Sequence, residues 1–132
     1  MIELDKTYTI NVPIKFTVED LYNIIWGAIH QGSTYWLVDV TDNKGKSTDM
    51  DTIIDLLVNK NKPVTFVYPE TDDDSELGKA YLVMCNLIEA IEKYVAQYGD
   101  CIEDGYIDTC KIDSYGCDLI LQYALFGEQV YG

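Results

Sequence analysis

A chain of 132 residues has room for one domain and little room for two. Apolar residues make up 48%, enough to bury a core, which excludes wholesale disorder. Nine Lys and Arg against 23 Asp and Glu leave a net charge of −14. Spread over roughly 7,000 Å² of folded surface, that is about one net negative charge per 500 Å². That charge rules against direct binding to nucleic acid and disfavours binding to anionic membranes. A basic partner, a cation or plain solubility remain.

Residues 1–5 show no basic-then-apolar leader, and no 18-residue apolar run spans a bilayer. The expectation is a cytoplasmic protein whose cysteines, Cys85, Cys101, Cys110 and Cys117, are reduced thiols. Their spacing contains no C-x-x-C pair of the kind that builds zinc sites.

In chain order, residues 7–16 alternate, with Tyr8, Ile10, Val12, Ile14 and Phe16 on one side of an expected strand. Thr17 reads as the N-cap of a helix with Glu19 and Asp20 in its first turn. Its inward positions are Val18, Leu21, Tyr22, Ile25, Ala28 and Ile29, and Gly32 stops it. Residues 35–40 are aromatic and β-branched, a second strand, followed by a polar turn over 42–46. Thr48 is expected to cap a second helix with Met50, Ile53, Ile54, Leu57 and Val58 inward and Asp51 and Asp55 on the opposite face. Lys60 and Lys62 complement its C-terminal end.

Residues 63–68 form the next strand, and residues 69–74 an acidic connection. Ser75 then caps a long helix ending before Gly99, with Leu77, Tyr81, Met84, Ile88, Ile91 and Val95 inward. The alternative is an extra strand at residues 76–81. Residues 99–113 read as irregular. The last helix, Ser114–Phe126, is apolar almost all round, with Asp118 and Gln122 its clearly polar members. Such a helix belongs in a core or a subunit interface. The expected fold class is α+β: a single compact domain with a small three- to four-stranded sheet packed against about four helices.

The chemistry-bearing patterns are sparse. His30 is the only histidine, at a helix end, and reads as a surface or capping residue. Nucleophile motifs, P-loops and G-x-G-x-x-G cradles do not occur. The run Asp72-Asp73-Asp74-Ser75-Glu76, and Asp104-Gly105 with Asp108, depart from the alternating oxygen ligands and glycine turn of a calcium loop. No enzyme activity, cofactor or dedicated metal is therefore expected.

The acidic surface is the functional lead. On one reading it is a solvated exterior. On the other it mimics phosphates and enters a basic channel built for DNA or RNA, with long-range attraction speeding encounter. The candidate partner-binding residues are Glu70, Asp72, Asp73, Asp74 and Glu76, with Asp100, Glu103, Asp104 and Asp108 as a second patch. Eleven tyrosines add interface-forming side chains. Tyr8, Tyr22 and Tyr81 fit core or core-edge positions, whereas Tyr68, Tyr98, Tyr106 and Tyr115 fall near element ends or in loops.

Residues 122–132, Gln122-Tyr123-Ala124-Leu125-Phe126-Gly127-Glu128-Gln129-Val130-Tyr131-Gly132, together with Tyr35-Trp36 and the amphipathic segment 18–29, carry a resemblance. The chain resembles small acidic proteins of bacteriophages and prophages in Gram-positive hosts. The four cysteines and the Asp72–Asp74 run have no counterpart in it. The resemblance implies a phage setting in a bacterial host cell. Small acidic phage proteins include inhibitors of host defence, anti-CRISPR proteins among them, and several occupy the DNA channel of an RNA-guided nuclease. The expectation is a monomeric or homodimeric inhibitor acting by DNA mimicry on a basic nucleic-acid-binding host protein. The alternative is a phage structural or scaffolding protein that self-assembles through its apolar C-terminal helix.

Overall fold

The computed structural model describes residues 1–70 and 76–132. Among these residues it is an α+β fold of four α-helices and two small antiparallel sheets. The chain enters through residues 1–16, which form no strand. The expected strand at 7–16 is corrected accordingly. Only Lys15 pairs, in parallel with Tyr106, and the apolar side chains Tyr8, Ile10, Val12 and Ile14 are exposed. Alternation proposes a strand, but a partner edge has to complete it.

Helix α1, Val18–Gly27, begins as expected. Thr17 Oγ1 accepts from the Asp20 amide at 3.1 Å while the Thr17 amide donates to Asp20 Oδ2 at 2.8 Å, a reciprocal capping box. Leu21, Ile24, Ile25 and the following Ala28 repeat at helical spacing and are buried. Val18 stays exposed. The helix widens into a π-helical turn, Ala28–Gly32, where Gly32 is obligatory: a Cβ there would collide with the Ser114 carbonyl oxygen.

The strand expected at 35–40 shrinks to β1, Asp39–Thr41, because residues 33–37 turn instead. The amides of Trp36 and Leu37 both donate to the Ser33 carbonyl. Asp42 closes the next turn by accepting from the Lys44 and Lys46 amides, and these bonds hold its carboxyl below the usual range. Helix α2, Met50–Ile54, is capped by Asp49, not Thr48. The Asp49 carboxylate accepts from the Thr52 amide at 2.9 Å. A second π-helical turn, Asp55–Asn59, carries Leu56 and Leu57 into the core, while Val58 is exposed.

Strand β2, Val64–Pro69, is the central strand. Its first four residues are buried, as a strand covered on both faces requires. The long helix expected from Ser75 gives way to β3, Leu77–Leu82, followed by α3, Met84–Gln97. Phe66 pairs with Ala80 in an antiparallel register with β2. Gly78, Ala80 and Leu82 face inward, whereas Leu77, Lys79 and Tyr81 face out. The expected inward positions Leu77 and Tyr81 are thus exposed, and so is Ile88. Four-residue spacing is two strand repeats as well as about one helical turn, and pairing with β2 decides between them. Ser75 lies outside the described residues.

The expected irregular region contains β4, Ile102–Glu103, and β5, Tyr106–Ile107, joined by Asp104 and Gly105 at φ +52° and +79°. Two left-handed residues in succession are what a tight hairpin needs. Helix α4, Ser114–Phe126, starts on Asp113, whose carboxylate accepts from the Gly116 amide at 2.8 Å, and stops at left-handed Gly127. Residues 116–122 and Ala124 are buried. This makes α4 the central helix of the core, packed on α1, α3 and β3, and not an exposed assembly face. Each fully buried Leu or Ile in it contributes about 1.5–3 kcal/mol.

One charge sits at the centre of this core. Asp118 is 2% exposed, with no cation beside it. Its Oδ1 accepts from Ser33 Oγ and Trp36 Nε1, both at 2.8 Å. Its Oδ2 accepts from Tyr35 OH at 2.7 Å and Gln122 Nε2 at 3.0 Å. Gln122 Oε1 in turn accepts from the Val130 and Tyr131 amides, each at 2.8 Å. The Tyr131 ring stacks on Trp36 with centroids 5.0 Å apart, and its hydroxyl donates to the Pro69 carbonyl.

Asp118→Asn replaces one accepting oxygen with a donating amide, so two of the four donors lose their acceptor. The expected loss is about 2–4 kcal/mol of stability, read from urea unfolding. A second expectation concerns alkali. Burial pushes Tyr94 up to about 12 and Cys117 up to about 11. Both native-state values lie above those of an unfolded chain, so the native protein holds these protons longer. Their stabilisation is complete below about pH 8, where neither group ionises appreciably in either state, and is lost as pH rises toward 12. Urea midpoints should fall across that window in the native sequence and less steeply in Tyr94→Phe.

Candidate binding surface

The β2–β3 hairpin places two of the sequence-predicted carboxylates together. The Glu70 amide donates to the Glu76 carbonyl at 2.9 Å, so the two residues face each other just beyond the last paired residues, Pro69 and Leu77. Both are exposed. Asp72, Asp73 and Asp74, assigned to the same patch, lie outside the described residues.

The second patch forms on the β4–β5 hairpin. Asp100 is exposed in the 3-10 turn Gly99–Cys101, and Glu103 and Asp104 are exposed on the hairpin itself. Glu103 pairs across the ladder with Tyr106, which is also exposed, so a carboxylate and a phenol stand side by side. Asp108 differs from its neighbours. It is half-buried, and its carboxylate accepts from the Cys110 amide at 3.0 Å, capping the turn Thr109–Lys111. The fold therefore brings Asp100, Glu103 and Asp104 to the surface and uses Asp108 locally.

Cationic relief is thin. Among the described residues two ion pairs form: Lys60 with Asp55 at 3.3 Å, and Lys111 with Glu103 at 3.5 Å. Lys93 is spent on the Gly127 carbonyl and lies over the Tyr123 ring. Glu70, Glu76, Asp100 and Asp104 therefore face solvent without a lysine in salt-bridge range, an arrangement that projects negative potential outward.

Tyr98, Tyr106 and Tyr115 are exposed as expected. Tyr68 is half-buried against Phe126, at 5.1 Å between centroids. Tyr8 and Tyr81, expected in or beside the core, are on the surface, and Tyr22 packs against it. His30 is exposed beside the Trp26 ring. Cys101 and Cys117 are buried, and desolvation raises both thiols; Cys85 and Cys110 are exposed. Among the described residues no three His, Cys, Asp or Glu side chains gather as a metal site. Among the described residues no helix is long and apolar enough to cross a membrane.

The Glu103–Lys111 pair is exposed on both sides, so water screens it. Lys111→Gln should change unfolding free energy by no more than about 0.5 kcal/mol while leaving Glu103 uncompensated. Chemical denaturation of the two proteins checks this. No protein-family model, curated protein or solved structure matches the chain.

Proposed function

We propose that this chain is a non-enzymatic, phage-encoded binding protein that inhibits a nucleic-acid-handling defence protein of its bacterial host. The specific target class is an RNA-guided nuclease, blocked by DNA mimicry in the manner of an anti-CRISPR protein. One observation carries the reading: two hairpins present exposed carboxylates, Glu70 with Glu76 and Glu103 with Asp104, the latter preceded by Asp100 in the adjoining turn, without compensating lysines except at Glu103. Carboxylates held on β-hairpins are preorganised, so little ordering is required on binding. The net charge of −14 adds long-range attraction toward a channel lined with Arg and Lys. The exposed Tyr106 supplies the aromatic anchor that charge alone lacks.

The phage setting rests on the resemblance at residues 122–132. Asp72, Asp73 and Asp74 belong to the proposed surface by sequence, between Glu70 and Glu76.

The test is capture of an RNA-guided nuclease from a Gram-positive host by the tagged protein, with DNA cleavage as a second readout. Binding should weaken steeply between about 50 and 500 mM salt. Reversing Asp72, Asp73 and Asp74 to Lys, or Asp100, Glu103 and Asp104 to Lys, should each weaken it at least about tenfold, almost wholly through the on-rate for rim charges. Affinity that ignores both salt and charge reversal overturns mimicry.

A further inference from the structure

The segment that alternation assigns to a strand ends up without a partner along most of its length. Lys15 anchors it: its amide donates to the Gly105 carbonyl at 2.8 Å, and its carbonyl accepts from the Ile107 amide at 2.9 Å. Before that point, the backbone of residues 7–14 makes no hydrogen bond among the described residues. Tyr8 and Ile10 are each 82% exposed and Val12 is 65% exposed. An alternating apolar face displayed to water is unusual in a chain whose other strands are paired.

We propose that residues 7–14 form a β-strand with the same residues of a second copy of this chain, running antiparallel about a two-fold axis. Four observations select that occupant. The first is the edge. Lys15 directs its amide and carbonyl toward β5, so in an extended chain residues 9, 11 and 13 direct theirs the same way, and residues 8, 10, 12 and 14 face the open side. Pro13, which has no amide proton, falls on the β5 side, so every position on the open edge keeps its donor.

The second observation is self-complementarity. Tyr8, Ile10, Val12 and Ile14 occupy one face, so antiparallel pairing of identical segments puts apolar side chains opposite apolar side chains. The third is the floor beneath them. Val12, Ile14 and Phe16 share an open groove of about 380 Å³ with Ile88, Ile91 and Val95 of α3, in which Glu92 is the single charged residue. Ile88, exposed in one chain, would be covered when two arms lie across paired grooves.

The fourth observation is charge. Residues 1–16 hold Glu3, Asp5, Lys6 and Lys15, giving 2 − 2 = 0. Residues 17–132 hold seven Lys and 21 Asp and Glu, giving 7 − 21 = −14. The arm therefore adds no net charge to the repulsion between two copies.

Sedimentation of the full chain at about 100 μM tests the proposal. The expected species has twice the 15.0 kDa chain mass. Its dimerisation should hold or tighten as salt rises from about 50 to 500 mM, because screening removes repulsion. Partner binding through the hairpins weakens over the same range, so the two readings fail separately. Ile10→Lys removes apolar surface while bringing the net charge to −13, so mutual repulsion cannot explain a loss. It should weaken dimerisation at least about tenfold, with unchanged circular dichroism. Val12→Lys should do the same. A monomer at both salts, a dimer that dissociates as salt rises, or a dimer indifferent to both substitutions overturns the proposal.

Discussion

The arrangement depends on one buried anion being satisfied. Taking a carboxylate out of water costs several kcal/mol unless strong donors replace the lost hydration. Asp118 receives four, from Ser33, Tyr35, Trp36 and Gln122. No cation shares the site, so geometry alone compensates the charge. Every donor must then arrive at a fixed place. The turn over residues 33–37 exists to deliver three of them, and it shortens β1. Gln122 delivers the fourth and uses its remaining oxygen to pin residues 130–131. Tyr131, held there, closes over Trp36 and reaches the end of β2 at Pro69. Helix, turn, tail and sheet are registered against one another through a single carboxylate.

Local signals in the chain proved readable wherever they were self-contained. The Thr17–Asp20 box, the Asp42–Lys46 turn and the extent of α4 each rest on bonds within a few residues, and the sequence states them directly. Signals that need a distant partner did not resolve. Leu77 and Tyr81, four residues apart, suit one face of a helix and one face of a strand alike, and only the register with β2 separates β3 from α3. Residues 7–16 carry strand alternation without a strand's neighbour. Residues 35–37 have strand-forming side chains, yet Asp118 claims Tyr35 and Trp36 from more than 80 residues away. Asp118 itself stood out only as a polar residue on an apolar helix.

The candidate surface was legible as composition and not as geometry. The acidic total is plain from the sequence, but the total mixes two uses of aspartate. Asp49, Asp108 and Asp113 cap helices or turns through their carboxylates, and the Asp20 carboxylate reaches back to the Thr17 amide. Asp118 holds the core. Short acidic side chains are favoured at such positions because their oxygens reach backbone amides two or three residues on. Among the described residues Glu70, Glu76, Asp100 and Asp104 have no such duty, and that marks them as a surface offered outward. Asp108 looked identical in sequence, and its capping role became visible only in the turn it closes.

The Asp118 site also constrains the order in which the chain can become native. Ser33 and Asp118 are 85 positions apart, so no partial chain lacking α4 can assemble the pocket, and no early intermediate can bury the carboxylate in finished surroundings. Contacts of such long range close late because the loop between them must first be collapsed. The stability that the Asp118 network supplies is therefore shared among helix, turn and tail, and the loss of any one of them forfeits it for all three.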